Sequence, residues 1–253
     1  MRIFLKTEDE IILLRAASQL ATRALIEVGR HVVPRLALSH LRNKVINAVM
    51  RTVPTESNSS KEALSSDTEF TFFVNGAYIE RSLEGECMLC EGDWLTVNCW
   101  VCLDGYYSFG AHTFIVGSSQ DDEPMISTLR DMLRQVVRRA SAGHSIKEMS
   151  RTVYSLHSHD PYVLQKTFGH GVGRNRVENP ILRMNPGVND TVLLKEGMCL
   201  VIALAFKHGR SHLIKPRLMH ESTFHNPFVP FGTTVVVRPG RPEILTSFET
   251  IVK

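Results

Sequence analysis

The 253-residue sequence contains no apolar run that approaches the roughly 18 residues needed by a membrane-spanning helix. Its first ten residues lack the apolar core of a signal peptide and the acid-free, arginine-rich character of a transit peptide. A large charge excess is also missing, because 29 basic and 26 acidic residues leave a net charge of +3. That charge does not by itself indicate nucleic acid or an acidic membrane as a partner. We therefore expect a cytoplasmic protein that makes no membrane contact.

Cysteine is scarce, and its pattern argues against disulfides and against zinc. There are five cysteines, an odd number, which is typical of free thiols in a reducing compartment. Cys87-x-x-Cys90 and Cys99-x-x-Cys102 have the spacing of a zinc ribbon. However, Cys99 and Cys102 lie on one alternating strand, where residues three apart point to opposite faces. We expect free thiols and no zinc site.

The pattern of helices and strands predicts an α+β fold. Thr7 to Glu10 forms a capping box, which predicts a helix that ends near Gly29. A second helix is expected from Ser39, and Ser145 to Glu148 forms another capping box. Strands are predicted at 70–74, 94–103, 106–116, 199–206, 233–238 and 243–251. The order of helices followed by strands occurs twice along the chain. This repeat suggests one domain over 1–253 with pseudo-two-fold halves at about 1–120 and 121–253.

Two polar segments interrupt this pattern. Residues 54–68 are rich in serine and predict a mobile loop. Residues 208–225 contain four histidines, but Gly209 and Pro216 prevent a helix that would align them. A polar insert is favoured over a new metal site, while a pocket-lining role for one histidine stays open. The sequence does not assign a role to either segment.

Six segments resemble the methionine aminopeptidase family, in the family's order and at its spacing. The implied structure is the pita-bread fold, a curved, mainly antiparallel sheet backed by helices, with a central pocket. The six segments lie at 5–11, 91–95, 104–117, 168–180, 194–198 and 235–246.

The resemblance also implies a two-metal centre, for which that family uses two aspartates, one histidine and two glutamates. The five matching positions are held here by Asn98, Phe109, His170, Ala203 and Gly232. Because two divalent ions need carboxylate ligands, we expect no metal and no other cofactor. The expected function is a catalytically dead pseudo-peptidase that binds a protein, peptide or small-molecule ligand without metal-dependent hydrolysis.

An alternative is a metal-free enzyme, because creatinase resembles this fold and uses a histidine and carboxylates for proton transfer. Two other histidines of the aminopeptidase family correspond to Glu80 and Val177. Glu80 and His170 are then candidates for acid/base catalysis on a small molecule, with His112 as a further pocket residue. His170 could equally be a retained residue that packs under a glycine-rich loop.

An arginine stripe is the remaining candidate for partner binding. Arg130, Arg134 and Arg138 recur every four residues on one predicted helix. A solvated face is the ordinary explanation of such a stripe. The functional interpretation is a contact with nucleic-acid phosphates or with an acidic protein patch. The resemblance to this fold adds an assembly such as the ribosome, because relatives without catalytic metals serve as ribosome-associated factors.

Overall fold

A computed structural model of the chain describes seven ranges of residues. They are 2–52, 67–117, 124–157, 163–164, 167–185, 192–207 and 228–247. The serine-rich 54–68 segment, apart from its last two residues, and the whole histidine-rich 208–225 segment lie outside the described residues. The expectations for these two segments therefore stay predictions.

Four helices and ten strands make up the described fold. The helices are α1 (Glu8–His31), α2 (Leu38–Thr52), α3 (Pro124–Arg138) and α4 (Ile146–His157). The first four strands are β1 (Glu69–Val74), β2 (Ala77–Tyr78), β3 (Trp94–Leu103) and β4 (Tyr106–Ile115). The other six are β5 (Val163–Leu164), β6 (Thr167–Gly171), β7 (Glu178–Arg183), β8 (Cys199–Lys207), β9 (Phe228–Val236) and β10 (Glu243–Ile244).

Helix α1 begins where the sequence predicts, but it ends two residues later than predicted. The Glu10 amide donates to Thr7 Oγ1 at 3.3 Å, and the Thr7 amide donates to Glu10 Oε2 at 3.0 Å, which confirms the capping box. The helix continues past Gly29 to His31. A Cβ at Gly29 would lie 3.1 Å from the Phe114 ring. The glycine therefore lets the helix approach the sheet, and it does not terminate the helix.

All ten strands belong to one sheet whose pairs are antiparallel, which confirms the α+β, pita-bread class. The order is β2-β1-β3-β4-β9-β8-β6-β7, with β10 beside β9 and β5 beside β8. β3 and β4 form the predicted hairpin, and Asp104 and Gly105 have φ values of 50° and 76°. Positive φ at both central residues is the requirement of a type I′ turn. β10 is shorter than predicted and has only two residues, Glu243 and Ile244.

Three apolar clusters hold the layers together. Residues of α1 and α2 pack with β1, β3 and β4, and residues of α3 and α4 pack with β8 and β9. The third cluster joins the start of α1 to the middle of the sheet, and Ile11, Leu14, Phe109 and Val201 belong to it. The division into halves at about residue 120 stays a prediction. Among the described helices, none combines the length and apolarity that crossing a membrane requires.

The arginine stripe on α3 is only partly as predicted. Arg130 is buried, with its guanidinium 5.9 Å from the centre of the Phe231 ring, and so it does not belong to the exposed face. Arg134 Nη1 donates to Asp131 Oδ1 at 2.7 Å. Arg138 is exposed at the end of the helix. Burial of Arg130 therefore leaves the last turn of α3 as the exposed basic surface.

Candidate functional site

Strand registers place five of the eight predicted site residues on one face of the sheet, which is the concave face that the pita-bread fold implies. Side chains alternate along a strand, and directly paired residues share a face. Asn98 of β3 pairs with Ala111 of β4, which pairs with Gly232 of β9, which pairs with Ala203 of β8. The face continues from β8 to β6, where Val201 pairs with His170, and along the hairpin, where Trp100 pairs with Phe109. Five of the eight predicted site residues therefore share one surface.

Phe109 packs directly against two of these positions. A Cβ built on Gly232 would lie 2.6 Å from Phe109 Cε1 and 3.0 Å from Ala203 Cβ. The phenyl ring therefore occupies the space that a larger side chain at Gly232 would need. These three positions contribute a ring, a methyl group and a hydrogen atom, and none of these can bind a cation through an oxygen or nitrogen atom.

A network of hydroxyl groups fixes the backbone of Phe109. The Phe109 amide donates to Thr234 Oγ1 at 2.9 Å, and Thr234 Oγ1 donates back to the Phe109 carbonyl at 2.9 Å. Thr246 Oγ1 donates to the same carbonyl at 3.0 Å. Beside it, Ser108 Oγ lies 2.6 Å from Ser18 Oγ of α1. Buried polar groups need such partners, so this network links α1, β4 and β9 at the floor of the site.

His170 and Trp100 form the partly exposed part of the site. Their ring centres are 6.1 Å apart and the rings are nearly parallel, and the Trp100 ring also lies 4.8 Å from the Phe109 ring. His170 Nδ1 lies 2.9 Å from the Gly171 carbonyl oxygen. Because a carbonyl oxygen only accepts, Nδ1 carries the proton and Nε2 is left as an acceptor. Burial lowers the pKa of His170 below its ordinary value of 6.5, although the bond to Gly171 opposes this shift.

We expect the depressed pKa of His170 to make stability fall as the pH drops below about 6.5. In that range the unfolded chain binds a proton that the folded chain resists, so acid favours unfolding. Above it the imidazole is neutral in both states, and His170 contributes no pH dependence. Urea denaturation at several pH values should show a weaker acid loss in His170→Gln than in the wild type. Equal pH dependence in the two proteins would contradict this assignment.

A charged rim lies beside the aromatic rings. Arg176 Nη1 donates to Glu69 Oε2 at 2.8 Å and lowers the pKa of that carboxyl group. The Arg176 guanidinium also lies 5.8 Å from the ring centres of Trp100 and Tyr107. Tyr107 donates to Asp67 Oδ2 at 2.6 Å, and this bond raises the pKa of the phenol. These residues were not predicted from the sequence, although the two-residue step from Asn98 to Trp100 places Trp100 on the same face of the strand.

The loop that carries Arg176 is held by a buried ion pair. Lys6 Nζ donates to Glu178 Oε2, and both side chains are only 5% exposed. The other carboxylate oxygen of Glu178 accepts from the Asn175 amide at 3.1 Å. A segment ahead of α1 therefore fixes the loop that follows His170.

Three other predicted site residues do not belong to this set of paired residues. Glu80 is exposed and follows β2, the outermost strand beside β1, and its predicted partnership with His170 stays a prediction. His112 is buried on the opposite face of β4, with its ring 4.6 Å from those of Phe114 and Phe231. Val177 is 58% exposed on the loop before β7.

The cysteines show no disulfide and do not form the zinc ribbon suggested by their spacing. All five lie in the described residues as free thiols. Burial raises the pKa of Cys87 to about 11 and raises the pKa of Cys99 further. Such thiols stay protonated near neutral pH and do not act as nucleophiles.

Comparison with known proteins assigns the family. The sequence profile of metallopeptidase family M24 matches residues 12–240, which is most of the chain. The chain belongs to metallopeptidase family M24. The resemblance to methionine aminopeptidases seen in the sequence is thereby confirmed.

Individual M24 relatives agree with this assignment. A methionine aminopeptidase of Borreliella burgdorferi is 24% identical over 254 residues, covering 97% of this chain and 98% of its own. One from Helicobacter pylori is 28% identical over 225 residues, covering 85% and 87%. A crystal structure of methionine aminopeptidase from Thermotoga maritima superposes with a TM-score of 0.79 at 21% identity, covering 97% and 100%. Prolidase from Pyrococcus furiosus gives a TM-score of 0.72 at 19% identity, covering 97% and 66%.

The relatives contradict one functional expectation from the sequence. Three of the curated M24 relatives that match over most of the chain, including one from Clostridium perfringens, are named methionine aminopeptidases. These are names of active peptidases, so the prediction of a catalytically dead, metal-independent pseudoenzyme is wrong. Replacement of metal ligands identifies which donor atoms are present, and it does not by itself establish that activity is lost.

The donor set of the described residues does not fit the two-metal centre of the aminopeptidases. Asn98 supplies one neutral oxygen and His170 one neutral nitrogen, and the other three matching positions supply no donor. Within the ranges that the structure describes, no three His, Cys, Asp or Glu side chains are grouped to hold a metal ion. No chemical step through a metal is therefore assigned to these side chains.

Proposed function

We propose that this M24 protein acts on peptides at their free N-terminus, as an aminopeptidase. The family match and the full-length similarity to methionine aminopeptidases support this class of substrate. The observation that carries the proposal is a pair of neutral acceptors, Asn98 Oδ1 and His170 Nε2, on the concave face that also bears Trp100.

These three groups are suited to an N-terminal ammonium group. Asn98 Oδ1 is buried and has no hydrogen-bond partner among the described residues, so it can accept from a ligand N–H. His170 Nε2 accepts in the same way because Nδ1 holds the proton. The Trp100 ring, which already lies 5.8 Å from the Arg176 guanidinium, adds an apolar surface beside these two acceptors. Phe109 and Ala203 add apolar side chains to the same face, and we expect them to favour an uncharged first side chain.

The rim is suited to the peptide chain beyond the first residue. Arg176 is partly exposed and can donate to a peptide carbonyl, while Glu69 keeps its guanidinium in place. His170 can hold or accept a proton at Nε2 during turnover. The aminopeptidases similar to this chain belong to a metallopeptidase family, and the described residues do not supply the ligands of a metal pair. The described residues alone supply binding and proton transfer.

The test is release of N-terminal methionine from a Met-Ala-Ser peptide, followed by mass spectrometry. The protein is assayed as purified, after chelation, and after separate additions of Mn²⁺, Co²⁺, Fe²⁺ and Zn²⁺. We expect methionine release, and we expect His170→Ala to reduce kcat/KM by about a hundredfold. His40→Ala is the matched control, because His40 is exposed on α2.

Two results would count against the proposal. One is the absence of free methionine under every metal condition, combined with no binding of the peptide in calorimetry. The other is equal activity in His170→Ala and wild type. N-acetylation of the peptide separates recognition of the ammonium group from recognition of the chain, and we expect it to abolish binding.

We also propose that the protein works in the cytoplasm. The five free thiols support this, because disulfides are rare in a reducing compartment.

A further inference from the structure

Two neighbouring cavities beside the end of α3 share Arg138. The larger has a volume of about 570 Å³ and lies between α3 and the turn before β10. The smaller has a volume of about 320 Å³ and reaches α4 at Thr152. Neither cavity is lined by a residue of the concave site. The residues lining the larger are Arg134, Val137, Arg138, Gly240, Arg241, Pro242 and Ile244, and those lining the smaller are Gln135, Arg138, Arg139 and Thr152.

Arginine dominates the charge of both cavities. Four guanidinium groups line them, and no acidic side chain does. The side chains of Arg138, Arg139 and Arg241 make no ion pair within the part of the chain that the structure describes. Arg134 is different, because it pairs with Asp131 at 2.7 Å. Cations left unpaired around a concavity create a positive potential that attracts anions.

The side chains that line the two cavities indicate which class of anion they would bind. A guanidinium group matches phosphate oxygens in a bidentate geometry, and several such groups can hold successive phosphates. The larger cavity also has an apolar wall of Val137, Pro242 and Ile244, and Ile244 is 41% exposed. Its volume lies in the range of small-molecule sites, roughly 300–1,000 Å³. A fully charged ligand would leave that apolar wall uncovered.

We propose that the two cavities form one site for a small organic polyphosphate, such as a nucleoside triphosphate. Its phosphates contact Arg138 and Arg241 in the larger cavity and Arg139 in the smaller one. Its nucleoside packs on Pro242 and Ile244. This site is separate from the concave face, and it does not depend on the proposed peptidase activity.

A fluorescence titration with an N-methylanthraniloyl derivative of ATP tests the site at physiological ionic strength. We expect saturable binding of one nucleotide per chain. Arg138→Ala and Arg241→Ala should each weaken it about tenfold, because each removes a charge-assisted contact. Arg51→Ala is the matched control, because Arg51 is exposed at the end of α2 and should change the affinity less than about twofold.

Competition experiments distinguish a nucleotide from inorganic triphosphate and from RNA as the ligand of this site. Unlabelled ATP should displace the probe, and inorganic triphosphate should displace it more weakly because it lacks the nucleoside. Single-stranded RNA that binds with the same arginine dependence, while the nucleotide does not bind, would overturn the proposal in favour of a nucleic-acid surface. Absence of binding, or binding that neither arginine variant changes, would also overturn it. Thermal unfolding of each variant without ligand shows whether a loss of binding follows from a loss of structure.

Discussion

Replacing Lys6 by methionine should lower the free energy of unfolding by about 3–5 kcal/mol. The substitution keeps the aliphatic stem and leaves the Glu178 carboxylate buried without its cation, since both side chains are only 5% exposed. Glu178→Gln should cost a similar amount, because it strands the ammonium group. Both effects are measured by urea denaturation followed by circular dichroism.

A double variant and a surface pair serve as controls for this result. Lys6→Met combined with Glu178→Gln should cost less than the sum of the single changes, because neither partner is then left charged. Arg15→Met removes a cation from its pair with Glu243 at 2.6 Å, where the side chains are 37% and 29% exposed. That change should cost about 1 kcal/mol or less. If the single changes at Lys6 and Glu178 lower the free energy of unfolding no more than Arg15→Met does, burial does not strengthen the Lys6–Glu178 ion pair.

Gly169→Ala should destabilise the protein by about 3 kcal/mol or more, because no side chain fits at this position. A Cβ at Gly169 would lie 2.1 Å from the Val201 carbonyl oxygen and 2.8 Å from Leu182 Cδ1. The first of these is a backbone atom of the paired strand β8, so the strands must separate to relieve the clash. His170 follows directly, and its stacking on Trp100 should be lost.

Gly85→Ala is the matched control for Gly169→Ala. A Cβ at Gly85 meets no atom within 4 Å, and this glycine does not have a positive φ. We expect its free energy of unfolding to stay within about 0.5 kcal/mol of that of the wild type. Tryptophan fluorescence reports the environments of Trp94 and Trp100 together, and we expect it to change only in Gly169→Ala. Equal stability of the two variants would show that β6 and β8 tolerate a wider separation.

The strongly patterned elements were predictable from sequence, and β6 was not. The alternation of β3 and the Asp104-Gly105 turn fixed the hairpin and its register, and therefore the shared face of Asn98 and Phe109. β6 has the sequence TFGHG, and glycine disfavours strands. Glycine is needed there because neighbouring backbone lies too close for a Cβ, and that contact joins residues far apart in the chain.

The errors at the site have two different physical causes. His112 lies three residues from Phe109 on one strand, so alternation alone would have placed it on the other face. The place of Glu80 could not have been predicted in this way. Its position depends on β2 pairing at the outer edge of β1, which is a tertiary arrangement that local sequence does not encode. Arg130 was likewise misplaced, because its burial against Phe231 depends on how α3 packs on β9.

The pairing of Ala111 with Gly232 joins strands β1 to β4 to the rest of the sheet. Trp100 stands on one side of this seam and His170 on the other. A cut between β4 and α3 would leave Trp100 on one polypeptide fragment and His170 on the other. A peptide that contacts both rings would bind only the associated fragments. Their apparent affinity for each other would therefore increase with the peptide concentration.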